Sequence, residues 1–293
     1  MVGVGNALSL YWNARGLARL AGVAFTAAGA PGAGHFIRHL PRAAPPPPRG
    51  NATALAAACG ACPPREVRAW RYPHTCLSAW AHIRGEVQRD THSALRASGA
   101  ERKALARLRS SDVAVHLRCL PAFNANYPLA AFSLYADLPR PWRDARRLRF
   151  LILGGKLGPA CTQVAAALEG YLQRRFPQAR VLRQFNTTDK AHEEDLLGPG
   201  AEDAAEADFA TMVHAPVLVR APGSFSLWAG LARRRGVVLS AANPLVSTWD
   251  WWRADFGRDW SWSTAPLLTP EVVERHGFDF HRPEPWIGWL CSH

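Results

Sequence analysis

Between residues 149 and 239 the chain alternates short apolar runs with helical stretches, and this alternation restricts the fold more than any other feature. Strands are read at 149–153, 180–182, 217–219 and 237–239, where Val, Leu, Ile and Phe dominate. Helical periodicity fills 162–175, 204–214 and 226–234, and Gly154-Gly155 makes a turn after the first strand. Strands joined through helices pair in parallel with right-handed crossovers. The expected class is therefore α/β, with a parallel sheet in the C-terminal half.

Upstream, Val113-Ala114-Val115-His116-Leu117-Arg118 reads as a further short buried strand. Side chains alternate along a strand, so Val113, Val115 and Leu117 share one face while His116 and Arg118 share the other. The two polar residues come last, and the carboxyl ends of strands border the ligand crevice in open α/β sheets. A guanidinium there presents a fixed fork of donors to phosphate or carboxylate. The plainer reading is an Arg that ends a strand and points to water.

Two other stretches share this chemistry. Gly3-Val4-Gly5-Asn6 opens into a helical pattern at 7–21, with one apolar stripe at Leu8, Tyr11 and Trp12 and another at Leu10, Leu17 and Ala21. A glycine loop feeding a helix suits anions, because the first amides are unpaired and the helix dipole is positive there. Pro222-Gly223-Ser224-Phe225-Ser226 joins a strand to a helix; its serines either cap that helix or hold a diphosphate. Gly22 is read as a helix end and 23–25 as a strand, and helices are also read at 52–59, 76–96 and 100–108.

Composition narrows the field. The net charge is +12, yet only Lys103, Lys156 and Lys190 are lysines and the arginines are scattered, so no nucleic-acid partner is expected. No run is long enough to span a bilayer and no secretory leader is read, so a membrane link is expected only through an anchor missing from this chain. Cys59 and Cys62 form a lone CxxC, while Cys76, Cys119, Cys161 and Cys291 are dispersed. A short-loop disulfide and buried free thiols both fit this pattern. His74, His82 and His92 show no tight metal-ligand spacing and are read as ordinary surface or core histidines. Sequons at Asn51 and Asn186 lean the localisation towards a secretory or Golgi lumen, with the cytoplasm as the alternative. Seven tryptophans crowd the tail: Trp249, Trp251, Trp252, Trp260, Trp262, Trp286 and Trp289. Packing is the favoured reading over sugar stacking.

In order and spacing, three islands resemble the GDP-fucose-dependent fucosyltransferases, the group containing α1,2, α1,6 and protein-O enzymes. Gly3-Val4-Gly5-Asn6-Ala7-Leu8, with Tyr11 and Ala14-Arg15, is similar to that group's G-x-G-N-Q opening. His116-Leu117-Arg118 is similar to its H-x-R motif, and Asp208-Phe209-Ala210-Thr211-Met212 through Ser224-Phe225-Ser226-Leu227-Trp228-Ala229 to its D-F-x-x-M…S-S-F-S-W-W block. The departures are Ala7 for Gln, Cys119-Leu120-Pro121 where R-G-D would follow Arg118, and Gly223 for the first Ser.

The resemblance implies a GT-B enzyme with two Rossmann-like lobes: 1–140 on the acceptor side, including a Pro-rich loop at 41–50, and 141–293 binding the nucleotide sugar and ending in the Trp-rich tail 249–293. It implies inverting, metal-independent transfer from GDP-fucose, or another nucleotide sugar, to a glycan or glycoprotein hydroxyl, with no other cofactor. Arg118 would neutralise the departing diphosphate. Gly3, Gly5, Asn6, His116, Asp208, Ser224, Phe225 and Ser226 would bind the donor, with Asp208 on guanine or ribose. Asn124, Asn126, Asp250 and Asp255 are the candidates considered for a base. The alternatives are a degenerate member that binds nucleotide or glycan without transfer, and a sugar-binding module built on the tryptophan tail.

Overall fold

The expected alternation builds a six-stranded sheet with helices on both faces. The computed structural model describes residues 4–27, 36–53, 56, 82–120, 122–123, 128–154, 158–184, 199–241 and 260–293. In chain order the principal elements begin with α1 (Val4–Ala21), β1 (Phe25–Thr26), β2 (Ala43–Ala44), α2 (Arg84–Ala97), α3 (Ala100–Arg107), β3 (Asp112–His116) and β4 (Leu129–Ala130). They continue with β5 (Arg149–Leu153), α4 (Pro159–Arg175), β6 (Arg180–Gln184), α5 (Pro199–His214), β7 (Val217–Arg220), α6 (Ser224–Ala232) and β8 (Val237–Ala241). The chain closes with β9 (Trp260–Ser263), β10 (Leu267–Leu268), α7 (Pro270–His276) and α8 (Pro283–Ser292).

The sheet order is β6-β5-β3-β7-β8-β9, and every neighbouring pair is parallel. Counted along the chain this is 3-2-1-4-5-6, the doubly wound order of Rossmann-like sheets. From β3 the chain steps outward through β5 and β6, then returns to the other side of β3 with β7. The reversal opens a crevice between the carboxyl ends of β3 and β7, where such sheets bind ligands.

Alternation sorts the interior into two layers. Ala114, Leu151, Leu153, Leu218 and Val238 point into a core shared with α1, α2, α3, α5 and α6. Val113, Val115, Phe150, Ile152, Val217, Val219 and Leu239 point the other way, against α4 and α8. Both faces being covered explains why these strands read as nearly unbroken apolar runs. At the amino end of β3, the fully buried Asp112 accepts hydrogen bonds from Arg149 Nε (2.7 Å) and the Arg109 amide (2.9 Å). Pairing of this kind makes the buried charge tolerable.

The anchor strand ends earlier than its apolar run suggests. The ladder closes at His116, and the Leu117 amide makes one more bond to Leu153 O (2.8 Å), so Arg118 lies just beyond the sheet. In the second apolar stripe of α1, Leu10 is 41% exposed. Ser9 and Arg15 take buried positions instead, satisfied by Ser9 Oγ→Gly5 O (3.0 Å) and by Arg15 pairing with Glu86 and Asp90 at 2.7 Å each. Gly22 ends α1 at φ +73, a backbone geometry that favours glycine. The 52–59 helix expectation falls largely outside the described residues, and α2 is described from Arg84 onward.

Strand β9 was not anticipated, since the sequence reading placed its tryptophans in a packing tail. They do pack, but from within the sheet: Trp260 is buried with its ring over Gly230. Trp286 and Trp289 are buried in the opposite core, and Trp249, Trp251 and Trp252 lie outside the described residues. The expected boundary near residue 140 falls between β3 and its two partners, so residues from both sides of it build this one sheet. Besides it, the described residues contain two antiparallel pairs, β1-β2 and β4-β10.

A disulfide joins Cys119, one residue past Arg118, to Cys161 in the first turn of α4. Neither open reading gave this pairing, since the bridge spans a long loop between two cysteines read only as dispersed; Cys291 is free, and Cys59, Cys62 and Cys76 lie outside the described residues. The bridge closes a 42-residue separation, for which chain-entropy arguments give about 4 kcal/mol. A Cys119→Ser/Cys161→Ser double variant should lose stability of that order in urea unfolding; an unchanged unfolding free energy would show that the bond constrains nothing.

Candidate functional site

Three separate segments meet at the switch-point crevice. The first is the start of α1. A Cβ built on Gly5 would stand 2.6 Å from both the Phe225 amide nitrogen and Ser224 Oγ, so only glycine lets the two segments approach this closely. Ser224 Oγ reaches the side chain of Asn6 at 3.2 Å, donating to Oδ1. The N-termini of α1 and α6 therefore lie side by side, adding two positive dipole ends.

The second segment is the end of β3. The buried His116 ring lies 5.7 Å from that of Phe225. Phe225 is in turn 5.5 Å from Phe209, which stacks on Phe36 at 4.8 Å. Burial, then the positive charges of Arg118 and Arg220, push His116 down to about 3, so it is a neutral imidazole across the physiological range. Its Nδ1 is buried and makes no hydrogen bond to any described residue. Arg118 itself is half-buried, and its charge is felt at His116.

The third segment is the turn after β7, where Arg220 is 4% exposed. It donates to Ser240 Oγ (2.8 Å) and Gly223 O (3.3 Å) and lies 5.9 Å from the Trp260 ring. Burial lowers its pKa to about 10, which leaves it charged at neutral pH. No carboxylate pairs with it among the described residues. The sequence reading missed this residue by ending the strand at Val219. The available signal was an Arg closing Val-Leu-Val, as Arg118 closes the run before it.

The expected donor-binding residues thus take different places. Gly5, Asn6, Ser224, Phe225 and His116 come together, with Arg118 beside His116. Ser226 is fully buried and its hydroxyl donates to Ala221 O at 3.0 Å, so it shapes the turn. Neither serine caps α6 through its side chain. Asp208 stands on α5 beside Phe209, and desolvation pushes its carboxyl up to about 8. Gly3, Asn124, Asn126, Asp250 and Asp255 lie outside the described residues. A cavity of about 430 Å³ lined by Arg15, Arg19, His82, Glu86 and Arg89 lies apart from these segments.

Chemically, the crevice combines two cations, two helix N-termini and a neutral imidazole, a set suited to a polyanion. Comparisons with protein-family models, with characterised proteins and with solved structures give no match to this chain.

Asp208 supplies a test of its own desolvation on α5. Its folded pKa lies above the ordinary carboxyl value, so the folded chain keeps a proton that the unfolded chain releases near pH 4. Asp208 therefore costs stability progressively as pH rises from about 4 to about 8. Asp208→Asn should raise the melting temperature by roughly 2 °C or more at pH 8 and leave it unchanged below about pH 4. An equal shift at both pH values would show that the carboxyl is not desolvated.

Proposed function

We propose that this chain is a glycosyltransferase that binds a nucleoside-diphosphate sugar, GDP-fucose in the first instance, at the β3/β7 crevice. The observation that supports it best is the meeting of Gly5, Ser224 and Phe225 beside His116 and Arg118, at the position where doubly wound sheets take nucleotides. In this reading the six-stranded sheet is the nucleotide-binding half of a GT-B arrangement, and the acceptor is a glycan or glycoprotein hydroxyl.

Cleavage of the sugar–phosphate bond leaves charge growing on the β-phosphate. Arg118 meets that charge with a two-pronged contact strongest in the transition state, and the positive ends of α1 and α6 add to it without reorganising. His116 is too weak a base to take a proton, and serves instead as a neutral hydrogen-bonding partner that orients the nucleotide. Asp208 faces the guanine or ribose; ionised, it accepts their donors, and protonated it can itself donate. Gly5 and Asn6 keep the backbone close to the diphosphate.

One observation favours the second reading, a member that binds nucleotide without transfer. The position after Arg118, where the related motif carries a second Arg, is Cys119, and it is tied into a disulfide. The same bond supports an oxidising, secretory compartment, where disulfides persist. No described helix is long and apolar enough to cross a membrane.

Calorimetric titration with GDP tests the proposal. Binding should occur, and Arg118→Ala should weaken it by roughly 10- to 100-fold with circular dichroism unchanged, the worth of a charged hydrogen bond. Release of fucose from GDP-fucose then separates enzyme from binder. A folded chain that ignores GDP, or an Arg118→Ala variant that binds it as tightly, overturns the site.

A further inference from the structure

Away from the crevice, three side chains from three helices converge: His92 of α2, Glu101 of α3 and His214 of α5. Their side chains are 7%, 14% and 10% exposed. His92 Nδ1 lies 3.3 Å from Glu101 Oε1, and His214 Nε2 lies 3.4 Å from the same oxygen. The three potential ligand atoms all lie within 4.8 Å of one another.

Hydrogen bonding alone accounts poorly for this group. His92 Nε2 is 3.1 Å from Ala232 O, and a carbonyl only accepts, so the ring proton belongs on Nε2. His92 Nδ1 is then the ring nitrogen turned towards the carboxylate oxygen of Glu101. His214 Nε2 is buried and lacks hydrogen-bond geometry to any described residue, its 3.4 Å approach to Glu101 included. Three potential ligand atoms from three helices thus face one another across a buried gap.

A cation resolves the arrangement. Tetrahedral Zn²⁺ with bonds of about 2.0–2.1 Å sets its ligand atoms about 3.3–3.4 Å apart, close to the two spacings seen. Ala232 O holds the distal nitrogen of His92, the orienting bond that metal-bound histidines ordinarily make. Two imidazoles and one carboxylate suit zinc among the common divalent ions. Arg96, Arg233 and Arg234 border the group and oppose a cation, which Glu101 partly offsets.

We infer that His92, Glu101 and His214 form a zinc-binding site, with water as fourth ligand, that ties α2, α3 and α5 together beside the C-terminal end of α6. This inference does not depend on the proposed glycosyl transfer, since that end of α6 lies about 12 Å along the helix from Ser224. The sequence reading named no metal ligand and took His92 as an ordinary histidine; the inference departs from it there and gives the zinc no role in the crevice. The three ligands are too widely spaced in sequence to have been legible there.

The test uses the full chain, stripped with chelator and titrated with Zn²⁺ against a chromophoric competitor, followed by zinc-edge X-ray absorption. The inference predicts one equivalent of tightly held zinc with only nitrogen and oxygen neighbours at about 2.0–2.1 Å. Glu101→Gln and His214→Gln should each weaken binding by more than about 100-fold, beyond the cost of an outer-shell change, while His39→Ala should not. A folded, stripped wild-type chain that takes up no zinc overturns it. So does sulfur in the coordination shell, which would assign the metal to cysteines, or an affinity that both Gln variants leave unmoved. The absorption measurement on the wild type decides the matter even if a variant fails to fold.

Discussion

The contact of Gly5 with the Ser224-Phe225 turn governs the geometry of everything at the carboxyl edge of the sheet. With no side chain at Gly5, α1 approaches α6 until its backbone touches the Phe225 amide. The approach is pinned deeper in the core, where Trp228 Nε1 donates to Ser9 Oγ (2.8 Å) and Ser9 Oγ donates to Gly5 O (3.0 Å). Two helix N-termini are thereby held together, and both face the crevice left by the reversal between β3 and β7. A side chain at this point would part the helices and take Asn6 out of reach of Ser224.

Around that contact the protein gathers positive charge. Arg220 is buried with neutral partners, and His116 stays uncharged, first through its own burial and then through the charges of Arg118 and Arg220. Burying a guanidinium without a carboxylate costs free energy unless something else compensates it. The contrast with the opposite end of the sheet is instructive, because the guanidinium of Arg149 there is matched by Asp112. A bound polyanion at the crevice would supply the pairing that no carboxylate among the described residues gives Arg220.

Much of this was legible in the sequence, for identifiable reasons. Strands buried on both faces leave continuous apolar runs, so β5, β7 and β8 could be read within a residue or two at each end. The parity of Val113, Val115 and Leu117 against His116 follows from strand geometry and holds. Other features depend on tertiary contact and left no local mark. The burial of Ser9 and Arg15 in α1 required partners distant in sequence, Trp228 for Ser9 and Glu86 and Asp90 for Arg15, while Leu10 was left outside. Strand β9 was hidden because Trp and Ser alternate there without an aliphatic run, and its pairing with β8 alone makes it a strand. The His92, Glu101 and His214 cluster assembles from three helices.

The account's central claim is that Gly5, Ser224-Phe225 and Arg118 enclose a diphosphate. The most direct measurement is a crystal structure of the full chain with GDP. The account predicts the β-phosphate between the N-termini of α1 and α6, within hydrogen-bond distance of the Arg118 guanidinium. GDP bound elsewhere on the molecule, or Arg118 turned away from an occupied crevice, would contradict it.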